Sequence, residues 1–102
     1  MRIEITPKAR QQLLTITDYY AEWGGLHSVE RLLDAIREKQ ERMLRYPESF
    51  PREPLLADRN IVYRSAIIND HYKMVYRIDQ DIITISAFWD MRMHPTKMKK
   101  SL

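Results

Sequence analysis

Residues 61–95, IVYRSAIINDHYKMVYRIDQDIITISAFWDMRMHP, constrain the fold more than any other stretch of the chain. Three runs rich in β-branched and aromatic residues are separated by Asn69-Asp70 and by Asp79-Gln80-Asp81. Polar, turn-prone residues between strand-forming runs predict a three-stranded antiparallel meander. Such a sheet must bury at least one face against another layer. The rest of the chain is therefore read for what covers it.

Ahead of the meander lie one short strand and two helices. Ile3 and Ile5 alternate with Arg2 and Glu4, which predicts a strand over Arg2–Ile5. Thr6-Pro7 is a helix start, with Thr6 as N-cap and Pro7 in the first helical position. Ala9, Leu13, Ile16, Tyr20 and Trp23 then recur every three or four residues, one apolar face of a helix in which Trp23 plugs the end. The chain's two glycines, Gly24 and Gly25, follow directly and supply a left-handed stop. Ser28 caps a second helix reaching to about residue 46, with Val29, Leu32, Leu33, Ile36, Met43 and Leu44 as its apolar stripe. The short link predicts an antiparallel helical hairpin. Residues 47–60 contain Pro47, Pro51 and Pro54, show no periodicity, and read as a long loop. Residues 91–102 read as a basic tail carrying Arg92, His94, Lys97, Lys99 and Lys100.

The turns also set the pairing. A two-residue turn at Asn69-Asp70 places Ile67 opposite Tyr72, Ser65 opposite Met74 and Tyr63 opposite Tyr76. A second two-residue turn at Asp79-Gln80 places Tyr76 opposite Ile83, Met74 opposite Ile85 and Tyr72 opposite Ala87. One face then carries Ile61, Tyr63, Ile67, Tyr72, Met74, Tyr76, Ile83 and Ile85, a core for the helices, with Trp89 on the same side. The other face gathers Arg64, His71, Lys73 and Arg77 near Ser86 and Phe88. It is either a solvated outer face or a basic surface for an anionic partner. The expected fold is α+β in the order β-α-α-β-β-β: a helical hairpin on one face of a mainly antiparallel four-stranded sheet.

At 102 residues this is one domain, 1–102. It contains no cysteine, which excludes disulfides, thiolate metal sites and a cysteine nucleophile. Three scattered histidines have no metal-ligand spacing, and no glycine loop cradles phosphate, so neither metal nor cofactor is expected. No apolar run approaches the roughly 18 residues of a membrane span, and the N-terminus has no signal-like apolar region. The expectation is a cytoplasmic protein with no membrane partner. A net charge of +3 permits an anionic partner without requiring one.

The chain also resembles the ParE/RelE superfamily of bacterial type II toxins. The residues carrying the resemblance are the opening strand with Thr6, Pro7 and Ala9, the helix with Ile16 and Tyr20, and the helix end before Pro47 leading to Phe50-Pro51. To these are added Tyr63-Arg64, the run His71–Ile78, and the ending Ile85–Pro95, which is similar to the F-D-x-R-x-x-P close of many members. The resemblance implies a growth-inhibiting toxin, as in plasmid-stabilising systems, neutralised by a cognate antitoxin in a hetero-oligomer. Within the superfamily, ParE-like toxins block DNA gyrase and RelE-like toxins cleave mRNA in the ribosome. A non-toxic module that only binds an antitoxin is the third possibility. The expectation is the ParE-like activity.

For an RNA-cleaving member, metal-free chemistry needs a base for the 2′-hydroxyl, cations for the phosphate and an acid for the leaving oxygen. Arg64, Lys73 and Arg92 are the candidate cations and His94 the candidate proton carrier, with His71 the weaker one. Lys73 stands where RelE-like members carry a basic residue on the strand just before Val-Tyr. Arg64, His71, Lys73 and Arg77 are the candidate target-binding set. Two features depart from the RelE-like pattern. The loop before the meander carries only Arg52 and Arg59, and no tyrosine follows Asp90.

Overall fold

A computed structural model describes all 102 residues. The elements are β1 (Arg2–Ile5), α1 (Pro7–Arg45), a 3-10 turn (Pro54–Leu56), β2 (Tyr63–Ile67), β3 (Tyr72–Asp79), β4 (Ile82–Asp90) and α2 (Pro95–Ser101). Thr6 caps α1 as its sequence predicts, its Oγ1 accepting from Ala9 N–H at 3.1 Å. A straight helix of 39 residues would run about 58 Å, yet the long axis of the whole molecule is 40 Å. The helix folds back at Gly25, whose φ of 74° and ψ of −179° lie in a region open essentially to glycine alone. The predicted hairpin thus forms, with a single residue as its bend.

The sheet order is β1-β4-β3-β2. β1 runs parallel to β4, Ile3 opposite Ile83 and Ile5 opposite Ile85, and the other two pairings are antiparallel. The two arms of α1 cover one face. Ala9, Ile16, Leu32, Ile36 and Met43 pack there against Met74, Tyr76, Ile83, Ile85 and Phe88. The apolar periodicity of both arms is the reason: residues three and four apart share a helix face. Trp23 does not plug the helix end. It lies past the sheet and is 73% exposed.

The β2 pairing differs from the predicted one by one residue. Ile67 lies opposite Lys73, Ala66 opposite Met74 and Arg64 opposite Tyr76. Asn69 causes the shift. Its Oδ1 accepts from both His71 N–H and Tyr72 N–H at 2.9 and 3.0 Å, and Ile68 N–H closes the loop on Tyr72 O at 2.9 Å. The turn therefore holds three residues, not two. A one-residue slip moves every side chain of a strand to the other face. Ala66 now faces the helices, while Tyr63, Ser65 and Ile67 face away.

A β-bulge in β4 makes the second correction. The turn before β4 holds Gln80-Asp81 rather than Asp79-Gln80, so Asp79 lies opposite Ile82 and Tyr76 opposite Ile85 instead of Ile83, a two-residue shift that keeps the faces. The register then steps between Val75 and Tyr76, which puts Ala87 opposite Val75 with Ser86 as the extra residue. Below the bulge, Ile83 and Ile85 face the helices as predicted. Above it the faces invert: Phe88 joins the main core, and Ala87 and Trp89 point to the outer side.

That outer side is not open. Val75, Ala87 and Trp89 form a second apolar cluster with Leu56 of the 3-10 turn and Met98 of α2. Residues 91–102 are thus more than a tail. His94 accepts from Thr96 N–H as N-cap and Pro95 takes the first helical position. This repeats the Thr6-Pro7 device of α1. The one fully buried residue of α2, Met98, docks it on the sheet.

Candidate functional site

The register and the bulge decide where each candidate residue stands. Arg64 faces the helix side at the sheet margin and donates to two carbonyls, Glu48 O at 3.3 Å and Phe50 O at 2.8 Å. Tyr76 beside it donates its hydroxyl to Pro47 O at 2.6 Å. Together they hold the chain just after α1 against the sheet. Burial pushes the Tyr76 phenol up to about 12, so it remains a donor at neutral pH.

Lys73 lies on the opposite face. Its ammonium forms an ion pair with the fully buried Glu53 side chain. The other oxygen of that carboxylate accepts from Leu55 N–H at 3.0 Å and caps the 3-10 turn. Glu53 carries no signal of this role in its own neighbourhood beyond standing before Pro54, the same cap-then-proline order as Thr6-Pro7 and His94-Pro95. Arg77 shares the outer face and pairs with Asp79 at 3.0 Å. His71 sits exposed in the three-residue turn. The expected gathering of Arg64, His71, Lys73 and Arg77 on one basic face does not occur, because Arg64 and Lys73 point to opposite sides.

Arg92 and Asp90 form a bidentate ion pair. The guanidinium donates Nε to Oδ1 at 2.9 Å and Nη2 to Oδ2 at 3.0 Å, and Arg92 N–H also reaches Oδ1 at 2.9 Å. Nη2 lies 3.3 Å from the Tyr72 hydroxyl. The Arg92 hydrogen bonds hold the Asp90 carboxyl below the usual carboxylate range, against the opposing effect of its partial burial. Burial and the Asp90 charge push the Tyr72 phenol up. The pair closes the end of β4 and leads into α2. His94 does not reach it, since its ring is spent as the α2 cap, with Nδ1 2.9 Å from Thr96 Oγ1.

The depressed Asp90 pKa makes a pH prediction. A carboxyl whose folded pKa lies below its unfolded value of about 3.9 contributes stability above that value. The contribution is lost as pH falls through the folded pKa. Asp90→Asn is therefore less stable than the parent at pH 7, and the gap in Tm closes as the buffer is taken from about pH 5 to below pH 3. Thermal melts across that range check it; a gap independent of pH would remove the ion pair from the explanation.

Beside this pair lies a cleft of about 790 Å3 between the first arm of α1, the end of β4 and α2. Ile16, Tyr72, Phe88 and Met93 line it, with Arg92, Lys97 and Lys100 among its polar residues.

A four-stranded mixed sheet with a helical hairpin on one face, a short parallel edge strand and a helical C-terminus defines a small α+β fold. Solved structures share it, among them a chain from "Chromosomal ParDE TA system from P. aeruginosa" and one from "The structure of YoeB dimer from Staphylococcus aureus". The first has a TM-score of 0.70 at 18% identity, covering 88% of this chain and 95% of that one. The second has a TM-score of 0.57 at 19% identity, covering 86% and 93%. No curated relative matches in sequence. The family described as ParE toxin of type II toxin–antitoxin system, parDE, matches residues 3–95. The chain belongs to this family and is a type II toxin–antitoxin toxin.

Proposed function

We propose that the chain is a ParE-like toxin that inhibits DNA gyrase by binding it in the cytoplasm, without catalytic chemistry of its own, and that a cognate antitoxin neutralises it. The observation that carries this reading is the dispersal of the cationic set. A metal-free ribonuclease converges its base, cations and acid on one phosphate. Here Arg64 and Lys73 lie on opposite faces, and each is already committed to a structural partner. Arg92 is committed to Asp90 and His94 to the start of α2. No helix is long and apolar enough to cross a membrane, which leaves a soluble target in reach.

The test uses the purified chain in two assays. In a supercoiling assay with DNA gyrase the expected result is loss of supercoiling, with accumulation of cleaved DNA. On translating ribosomes the expected result is intact mRNA. Cleavage of mRNA within ribosomes, with gyrase unaffected, would overturn the proposal in favour of a RelE-like nuclease. Inertness in both assays, with the antitoxin still bound, would leave a binding module without toxicity.

A further inference from the structure

The end of α1 and the segment after it bring four arginines together. Arg42 and Arg45 stand three residues apart at the end of the helix, both exposed. Arg52 and Arg64 lie opposite each other in an isolated antiparallel bridge at the β2 edge, so their side chains leave the same face. Residues 48–50 link the two pairs. Arg42 Nε donates to Ser49 Oγ at 3.2 Å, with its guanidinium 4.5 Å from the Phe50 ring centroid. Arg64 Nη1 holds Glu48 O and Phe50 O. Burial raises the Tyr76 phenol, and the charges of Arg64 and Arg42 both reach it and oppose that rise. Two hollows of about 450 and 520 Å3 meet at Glu48. Arg45 and Ser49 line the first, Arg52 and Arg64 the second.

None of these four arginines forms an ion pair, although Arg2, Arg37, Arg77 and Arg92 each do. The acidic residues lining the hollows do not neutralise the set. Asp79 is paired with Arg77, and Glu48 is in no ion pair. Structural roles use only part of each side chain. Cations in the last turn suit the helix dipole, and Arg64 ties residues 48–50 to the sheet. Arg42 spends Nε and keeps both terminal nitrogens, while Arg64 spends Nη1 and keeps Nη2. The side chains of Arg45 and Arg52 are exposed and bond nothing in the chain. A guanidinium already fixed at one nitrogen loses less freedom for each further bond it makes. The set is arginine throughout, the side chain whose planar fork matches a phosphate with two parallel bonds.

We infer that Arg42, Arg45, Arg52 and Arg64 bind the phosphate backbone of duplex DNA, so that the toxin engages gyrase where the enzyme holds its DNA. Backbone contacts fix position and carry no sequence preference. A nucleic-acid strand presents a phosphate at every step, whereas an acidic protein would have to bring several carboxylates to one place. Single-stranded RNA is recognised largely by stacking its bases on aromatic rings. Beside these arginines Tyr46 is the one strongly exposed ring, 60% exposed, while Phe50 and Tyr76 are buried. Ile61 and Val62, 43% and 44% exposed, add apolar ground next to Arg52 and Arg64 for the enzyme itself. The inference rests on the gyrase reading and adds the DNA to its target.

The full chain is titrated onto a labelled DNA duplex of about 20 base pairs, without gyrase. Four phosphate contacts, at about 0.9 in the log–log salt slope for each, should raise Kd about hundredfold from about 50 to 200 mM salt. The double variant Arg45→Gln/Arg52→Gln should raise Kd about tenfold or more and take about two off that slope. Lys97→Gln/Lys100→Gln removes the same charge from α2 and should leave the slope unchanged. In the supercoiling assay the arginine variant should need about tenfold more protein for equal inhibition. No duplex binding, or an equal effect of the two double variants, overturns the inference, and gyrase inhibition that persists then leaves the toxin reading standing. Duplex binding through the arginines with gyrase unaffected overturns the gyrase reading instead. Weaker gyrase inhibition by the arginine variant without binding to free duplex assigns the arginines to an acidic protein surface and overturns the inference. Single-stranded RNA that displaces the duplex at lower concentration overturns it in favour of RNA.

Discussion

Lys73→Ala is expected to cost about 3–5 kcal/mol, the penalty for leaving a buried charge without its partner. Glu53 carries that charge, on a side chain with no solvent exposure in the folded protein. In a domain of this size the loss corresponds to a fall in Tm of more than about 10 °C. A lysine on a solvated sheet face would change stability by less than about 0.5 kcal/mol, so thermal or urea melts separate the two roles. The double variant Lys73→Met/Glu53→Leu removes both charges and keeps apolar volume. It should recover most of the loss, because replacing a buried ion pair by packed apolar groups is often neutral or better. A residual deficit of about 1 kcal/mol is expected, since Glu53 also caps the 3-10 turn through Leu55 N–H. The double variant bears on function too. Folded and still growth-inhibitory, it would remove Lys73 from any chemistry. Folded and inert, it would return the nuclease reading to consideration.

Met98→Ala is the second large effect. Met98 is fully buried and docks α2 on the outer face of the sheet. A buried Met→Ala change costs about 2–5 kcal/mol. Here the loss is expected to fall on the local docking of a seven-residue terminal helix. Arg59 Nη1 to Leu102 O at 2.9 Å and Lys8 Nζ to Ser101 O at 2.8 Å are then the main remaining ties. Undocking would wet Val75, Ala87 and Trp89. Trp89 is 4% exposed and Trp23 is 73% exposed, so a Trp23→Phe background isolates the buried indole. The expected result is a red shift of Trp89 emission and faster amide exchange across residues 95–101. Unchanged emission and exchange would show that α2 holds without its anchor.

The outer face shows where reading the sequence and folding the chain part company. The strand-forming runs, the Thr6-Pro7 start and the Gly24-Gly25 break act over three or four residues, and all three are present where the residues indicate. The placement of Arg64 depended instead on whether the turn at Asn69 holds two residues or three. Both fit the residues Asn69-Asp70-His71. The two bonds from the Asn69 carboxamide, together with its Nδ2 donating to the Tyr20 hydroxyl at 2.9 Å, favour three. The bulge at Ser86 had no sequence mark either. Face assignment is a parity, so one miscounted residue inverts everything beyond it.

The partners of the candidate residues were hidden for a related reason. Lys73 and Glu53 meet across 20 residues of chain, and Phe88 and Gln12 across 76. α2 was concealed because one buried methionine makes no periodic stripe. By itself, the sequence determined the kind, order and approximate ends of the strands and the hairpin, because caps, glycine breaks and apolar repeats are local. Only the tertiary structure decided which way β2 faces and that α2 and the 3-10 turn cover the outer face. Those outcomes are set by turn length, by a bulge and by long-range packing, whose free energies no local window contains.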